Sequence, residues 1–211
     1  MKRKKTTVLI LALLLIAGIT FLGGLCSSVG ERWLKIALLA LVYLVIGAVA
    51  VIAMKLTDIK PEFDWKNVRQ YGIGVAIALT LSLLIAVIPA LCGFSLVGPH
   101  YGFSWFATVY HFLFYFLLVG PVEELVFRVY VQDTLVSFFE KRKYLGVVLA
   151  ALLFGFWHLI NGSLVQVAFT FCIGLVFGTC RYRIRDCKYP GLAVGHGLYD
   201  FLNEIVRMFV V

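Results

Sequence analysis

Apolar and polar positions along this chain alternate in blocks rather than residue by residue. Apolar runs cover about 8–25, 34–54, 71–92, 103–120, 122–139, 145–160, 163–180 and 190–211, with polar or basic stretches between them. Each run is continuous, so the period-2 alternation of a half-buried strand is absent. Several runs reach the ~20 residues that a helix needs to cross the hydrocarbon of a bilayer. Backbone N–H and C=O groups have no water to bond in lipid, so only helices and closed barrels span it. Continuous runs select helices. The pattern therefore predicts an all-α, polytopic integral membrane protein of about seven to eight transmembrane helices. Gly120-Pro121 divides the long stretch 103–139 into two of the eight segments, because proline removes a helical donor.

Composition strengthens this reading. Of 211 residues, 62% are hydrophobic and 14% charged, against about 45–50% and about 25% in an ordinary soluble domain. Mean hydropathy is +0.98. A globule of this size would have to display the excess on its surface. The net charge of +8 is not spread over a face with interleaved aromatics, which argues against nucleic acid as a partner. It is held in short clusters between apolar runs: Lys2 to Lys5, Lys55 to Arg69, Lys141 to Lys143, and Arg181 to Lys188. Such clusters mark loops held against an anionic cytoplasmic leaflet. The expected setting is a multi-pass protein of a cell membrane, with the lipid bilayer as partner and the N-terminus cytoplasmic. The first run, Val8 to Leu25, follows a basic start without an Ala-x-Ala cleavage pattern and reads as an uncleaved transmembrane helix. The five cysteines form no Cys-x-x-Cys and read as small hydrophobes. Asn161-Gly162-Ser163 is formally a glycosylation sequon, but it reads better as a polar tight turn close to the membrane.

Charges inside the apolar runs carry the functional information, since each costs about 2.5–3.5 kcal/mol at mid-membrane on insertion scales. Glu123, Glu124 and Arg128 follow Gly120-Pro121, His158 ends the 145–160 run, and His196 and Asp200 lie in the last run. Glu124 and Arg128 are spaced i,i+4 in the favourable acid-before-base order. The same spacing lets Asp200 hydrogen-bond the His196 imidazole, and places Phe154 one turn from His158. Gly195 and Gly197 flank His196 and leave room for close helix packing or for a substrate backbone. Each of these groups has a structural reading: Glu124–Arg128 as a lock between helices, and either histidine as an interhelical hydrogen-bonding residue. Taken together, Glu123, His158, His196 and Asp200 on separate segments point to one polar intramembrane cavity. His111 has no partner at helical spacing, and Glu204 and Arg207 read as reaching an interface.

These residues also form a family pattern. Glu123-Glu124-Leu125-Val126-Phe127-Arg128 reads Glu-Glu-x-x-x-Arg, Phe154 to His158 reads Phe-x-x-x-His, and His196 to Asp200 reads His-x-x-x-Asn/Asp. In this order and at these separations they resemble the CPBP family of intramembrane proteases, which includes CaaX prenyl endopeptidases and bacterial Abi-type relatives. The resemblance covers about residues 103–205. It divides the chain into N-terminal transmembrane helices over 1–102 and a catalytic helical core over 103–211. It implies hydrolysis of a peptide bond in a membrane-associated peptide or protein. No serine or cysteine nucleophile with a matching triad is evident, so water is the expected attacker. On this reading Glu123 is the general base, His158 shares the water and shuttles its proton, and His196 donates to the oxyanion. Asp200, where relatives frequently carry Asn, orients His196; Glu124, Arg128 and Phe154 brace the site from behind. The expected chemistry needs no cofactor, with zinc on Glu123, His158 and His196 as the alternative. The short chain without extended loops is closer to the bacterial branch, in a plasma membrane. A non-catalytic bacteriocin-immunity or assembly protein and a proton-coupled transporter are the alternatives from other classes.

Overall fold

The computed structural model of this chain describes residues 2–26, 28–61, 63–160 and 162–209. Seven helical runs account for most of them, and no strand occurs among the described residues. We number the runs α1 (Lys2–Cys26), α2 (Arg32–Thr57), α3 (Val68–Leu91), α4 (105–138), α5 (Lys143–Ile160), α6 (Leu164–Arg183) and α7 (Tyr189–Phe209). Runs α1, α2, α3, α5 and α6 are long and apolar enough to cross a membrane. Runs α4 and α7 hold most of the ionisable residues singled out above. The protein is an all-helical, polytopic membrane protein.

Where the runs begin follows from local chemistry. The first backbone N–H groups of a helix lack partners, and a side-chain oxygen placed just before them supplies one, contributing about 1 kcal/mol. Glu31 accepts from the N–H of Leu34 at 2.5 Å, Ser104 from Ala107 at 3.3 Å, and Ser163 from Gln166 at 3.3 Å. Gly93 and Gly98, with φ of 84° and 117°, turn the chain between α3 and α4 in a conformation that side chains with a Cβ resist. Asn161, the first residue of the turn expected at 161–163, lies outside the described residues.

Gly120-Pro121 does not break the stretch 103–139, contrary to expectation. Helix runs from Trp105 to Phe138, so the eight segments become seven. The physical reason lies just before the proline. Residues Tyr115–Val119 are wound as π-helix, and the N–H of Gly120 bonds the carbonyl of Tyr115, five residues back. The missing donor of Pro121 thus falls where the bonding pattern has already shifted register. A second π stretch, Leu125–Gln132, has every residue buried.

The chain forms two compact units, interleaved in sequence: residues 1–62 with 122–185, and residues 63–121 with 186–211. In the first unit Ala50, Val126, Val129, Tyr130, Val131, Val147, Ala150 and Phe177 are fully buried. Polar ties add to this packing: Gln132 Nε2 donates to the Gly178 carbonyl at 3.0 Å, and Arg181 Nη2 meets Asp133 Oδ2 at 2.7 Å. In the second unit α3 and α7 pack through glycines. A Cβ on Gly195 would lie 2.6 Å from the Gly74 carbonyl oxygen, and one on Gly74 would overlap the Gly191 carbonyl. Small residues let backbones approach closely, which is how helices associate where lipid offers no hydrophobic driving force. The five cysteines are all free.

Candidate active site

In the first unit the acidic pair ends the short α-helical turn Gly120–Glu124 and leads into the buried π stretch. Glu123 is 4% exposed, and Glu124 and Arg128 are wholly buried. An ion of either sign is stable there only when paired. The i,i+4 pairing expected of Glu124 and Arg128 is present, with Arg128 Nε 3.4 Å from Glu124 Oε2. The Arg128 guanidinium lies 4.6 Å from the centroid of the Phe154 ring, so the aromatic face supplies further stabilisation. Glu123, rotated away from that pair, accepts a hydrogen bond from the Tyr43 hydroxyl on α2, Oη to Oε1 2.9 Å.

Phe154 links this group to His158. Its ring stands edge-on to Phe127 at 5.1 Å and edge-on to the His158 imidazole at 4.8 Å. His158 opens the 3₁₀ turn that ends α5, where carbonyls of the preceding turn lack helical partners. Its Nδ1 lies 2.9 Å from the Phe154 carbonyl oxygen. A carbonyl only accepts, so Nδ1 carries the proton, and in the neutral ring Nε2 is the basic nitrogen. The neighbouring Trp157 donates its indole N–H to Thr20 Oγ1 on α1 at 2.6 Å, and Thr20 in turn bonds the Ile16 carbonyl at 2.8 Å. Glu124, Arg128, Phe154 and His158 are therefore one chain of contacts.

The second unit holds His196 and Asp200 on α7. His196 Nε2 lies 3.5 Å from Asp200 Oδ2, and the imidazole is buried. The glycines that flank His196 serve helix packing: Gly195 sits on Gly74, and a Cβ on Gly197 would lie 2.8 Å from the Tyr115 carbonyl oxygen. One and two turns on from His196 are Asp200 and Glu204, and Glu204 is the centre of a network that spacing did not reveal. Its carboxylate accepts from Tyr101 at 2.6 Å, Tyr115 at 3.1 Å, and Arg207 Nη1 at 2.9 and 3.0 Å. His111 Nδ1 stands 3.9 Å away. The groups without an assigned partner in the sequence thus meet each other, across about one hundred residues of chain. Tyr101 lies in the loop before α4, and burial first, then the Glu204 hydrogen bond, push its phenol above the ordinary tyrosine range.

Sequence reasoning missed Tyr43, Thr20 and the Glu204 partners. Their only signal was a hydroxyl or carboxyl in an apolar setting. Among the described residues no three His, Cys, Asp or Glu side chains gather at metal-binding distances.

Residues 103–202 match the family model described as type II CAAX prenyl endopeptidase Rce1-like. Over these residues the chain matches the CPBP, or CAAX protease, family. No curated protein and no solved structure matches it. All seven motif residues, from Glu123 to Asp200, fall inside the matched stretch, whereas Thr20 and Tyr43 precede it and Glu204 and Arg207 follow it. At the level of the family the activity is that of a membrane CAAX-type endopeptidase.

Proposed function

We propose that this CAAX-family protein hydrolyses a peptide bond of a membrane-associated peptide or protein using water activated by Glu123 and His158. The observation that carries the reading is a buried carboxylate, Glu123, in the same unit as an imidazole whose Nδ1 is committed to a carbonyl. Nε2 of His158 is then the nitrogen that shares the water. Glu123 takes a proton as the water oxygen bonds the carbonyl carbon, and the proton passes to the departing amine as the C–N bond breaks. His196 donates to the oxyanion, a contribution often worth about 10²–10³ in kcat. Asp200 faces Nε2 of His196 and sets its orientation. Because Asp200 stands where relatives frequently carry an amide, we give it no direct donor role. Glu124, Arg128 and Phe154 hold the segment that presents Glu123 and His158. The metal-free version of this chemistry is tested by metal analysis of the purified protein, and stoichiometric zinc lost together with activity would overturn it.

We further infer the orientation in the membrane. With each of the seven runs taken as one crossing, residues 2–5, 58–67, 139–142 and 184–188 fall on one side, which every basic cluster adjoins. By the positive-inside rule it is the cytoplasmic side, and the membrane we propose is a bacterial plasma membrane. Comparative peptidomics of cells carrying wild-type protein or Glu123→Gln tests the activity. Peptides that depend on Glu123 are expected in the membrane or secreted fraction. An unchanged peptide profile would remove the protease reading and leave the immunity-type or transport alternatives.

A further inference from the structure

We propose that Tyr43 is a positioning residue for Glu123, so that α2, which lies outside the family-matched residues, belongs to the catalytic apparatus. The inference rests on the reading of Glu123 as the base.

Between Ile36 and Met54 every residue of α2 is Ile, Ala, Leu, Val, Gly or Met except Tyr43. Its hydroxyl is the one side-chain hydrogen-bond donor in those nineteen positions. A phenylalanine would fill the same shape without a polar atom to satisfy in lipid, where an unpaired hydroxyl is costly. The hydroxyl meets Glu123 Oε1 at 2.9 Å. Position 43 continues the buried stripe of Ile46, Ala50, Ala53 and Met54, spaced as one face of a helix. Gly47, one turn on, faces Val122, the residue before Glu123. The register of α2 against residues 122–123 is therefore set by packing on one turn and by a hydrogen bond on the next.

The chemistry gives this bond a purpose. An ionised carboxylate accepts through two oxygens, and a donor fixed on one of them sets the plane of the group. Tyr43 holds Oε1 and thereby directs the other oxygen, through which Glu123 takes the proton from water. The phenol keeps its place before and after that transfer, so nothing reorganises in the chemical step. Tyr43 touches no substrate in this account. Its loss lowers kcat and leaves KM as it was.

The test uses full-length protein in proteoliposomes and, as probe, the synthetic peptide that peptidomics finds to depend on Glu123. Tyr43→Phe is expected to lower kcat about 10-fold with KM unchanged, since hydrogen bonds to charged groups carry effects of that order. Difference infrared spectra of wild type against Glu123→Gln isolate the Glu123 carboxyl bands, and Tyr43→Phe is expected to displace them. Wild-type kcat in Tyr43→Phe, beside an inactive Glu123→Gln, overturns the role of Tyr43 and leaves Glu123 standing as the base. A raised KM at constant kcat also overturns it, by making Tyr43 a substrate contact. Full activity in Glu123→Gln, or no Glu123-dependent peptide, removes both readings. If Tyr43→Phe fails to fold, ring-labelled tyrosine reports the same bond in an otherwise native chain. A Tyr43 C–O stretch unmoved by Glu123→Gln then overturns the proposal.

Discussion

Arg128 is the most demanding residue in the chain. A wholly buried guanidinium in an apolar bundle is stable only through what surrounds it, here the Glu124 carboxylate at 3.4 Å and the face of Phe154 at 4.6 Å. Removing one member of such a pair strands the other, at about 3–5 kcal/mol, whereas replacing both with apolar groups of similar volume is often close to neutral. Arg128→Met is therefore expected to lower the Tm in detergent sharply, and Glu124→Leu combined with Arg128→Met to regain most of the loss. A double variant as unstable as the single one would show that the pair is not what the charges are for. On its proposed oxyanion role, His196→Ala is expected to lower kcat per folded molecule by about 10²–10³. Activity per folded molecule, measured beside the Tm, separates a residue that holds the fold from one proposed to act on substrate.

At the scale of elements, the helices that matter most are the irregular ones. The two π stretches of α4 lie on either side of the Gly120–Glu124 turn. They let one helical run contain a proline and then bury eight consecutive residues. Run α7 is held from two directions by its glycines, Gly191 and Gly195 against α3 and Gly197 against the 115–116 turn. Gly74→Ala and Gly195→Ala both drive a methyl into backbone, which cannot move aside as a side chain can. Each is expected to cost at least the ~1–3 kcal/mol typical of overpacking. Gly72→Ala is the internal control: a Cβ there meets nothing within 4 Å, and alanine is the better helix former. Thermal denaturation of the three variants checks this, and equal losses at Gly72 and Gly74 would refute the packing argument.

For the molecule as a whole, a polar network ties the loop before α4 to the end of α7. Besides the Glu204 bonds, Arg207 Nε donates to the Pro99 carbonyl at 3.2 Å, and the Tyr101 N–H donates to the Arg207 carbonyl at 3.1 Å. The Tyr101 phenol is held above its ordinary value of about 10. A group whose pKa is raised on folding contributes stability below its unfolded pKa and loses it as pH rises towards the folded one. The Tm is thus expected to be steady up to about pH 10 and to fall above it, less steeply in Tyr101→Phe. A pH-scanned melting series measures this, and identical slopes would exclude Tyr101 from the alkaline transition. Topology is testable at the same scale. Single cysteines at Lys141 and Arg185, in a chain cleared of its own, are expected to react with an impermeant maleimide from the cytoplasmic side. Cysteines at Ser95 and Ser163 are expected to react from the other side.

By itself the sequence determined the class of the molecule, because crossing lipid constrains a chain through composition and run length alone. It also made legible the pairs joined within one helix. Glu124 with Arg128, Phe154 with His158, and His196 with Asp200 follow from four-residue spacing, and all three contacts are present. Tertiary structure decided what spacing cannot encode. Tyr43 reaches Glu123 across eighty residues and Tyr101 reaches Glu204 across more than a hundred; a hydroxyl among apolar residues reveals that it needs a partner, not which one. The continuity of α4 through Pro121 was likewise invisible, since a π turn is set by how the helix packs and not by any residue signature. The flanking glycines of His196 permitted either substrate or helix at that place. Backbone carbonyls of neighbouring helices occupy it, because in lipid close packing is what holds such helices together.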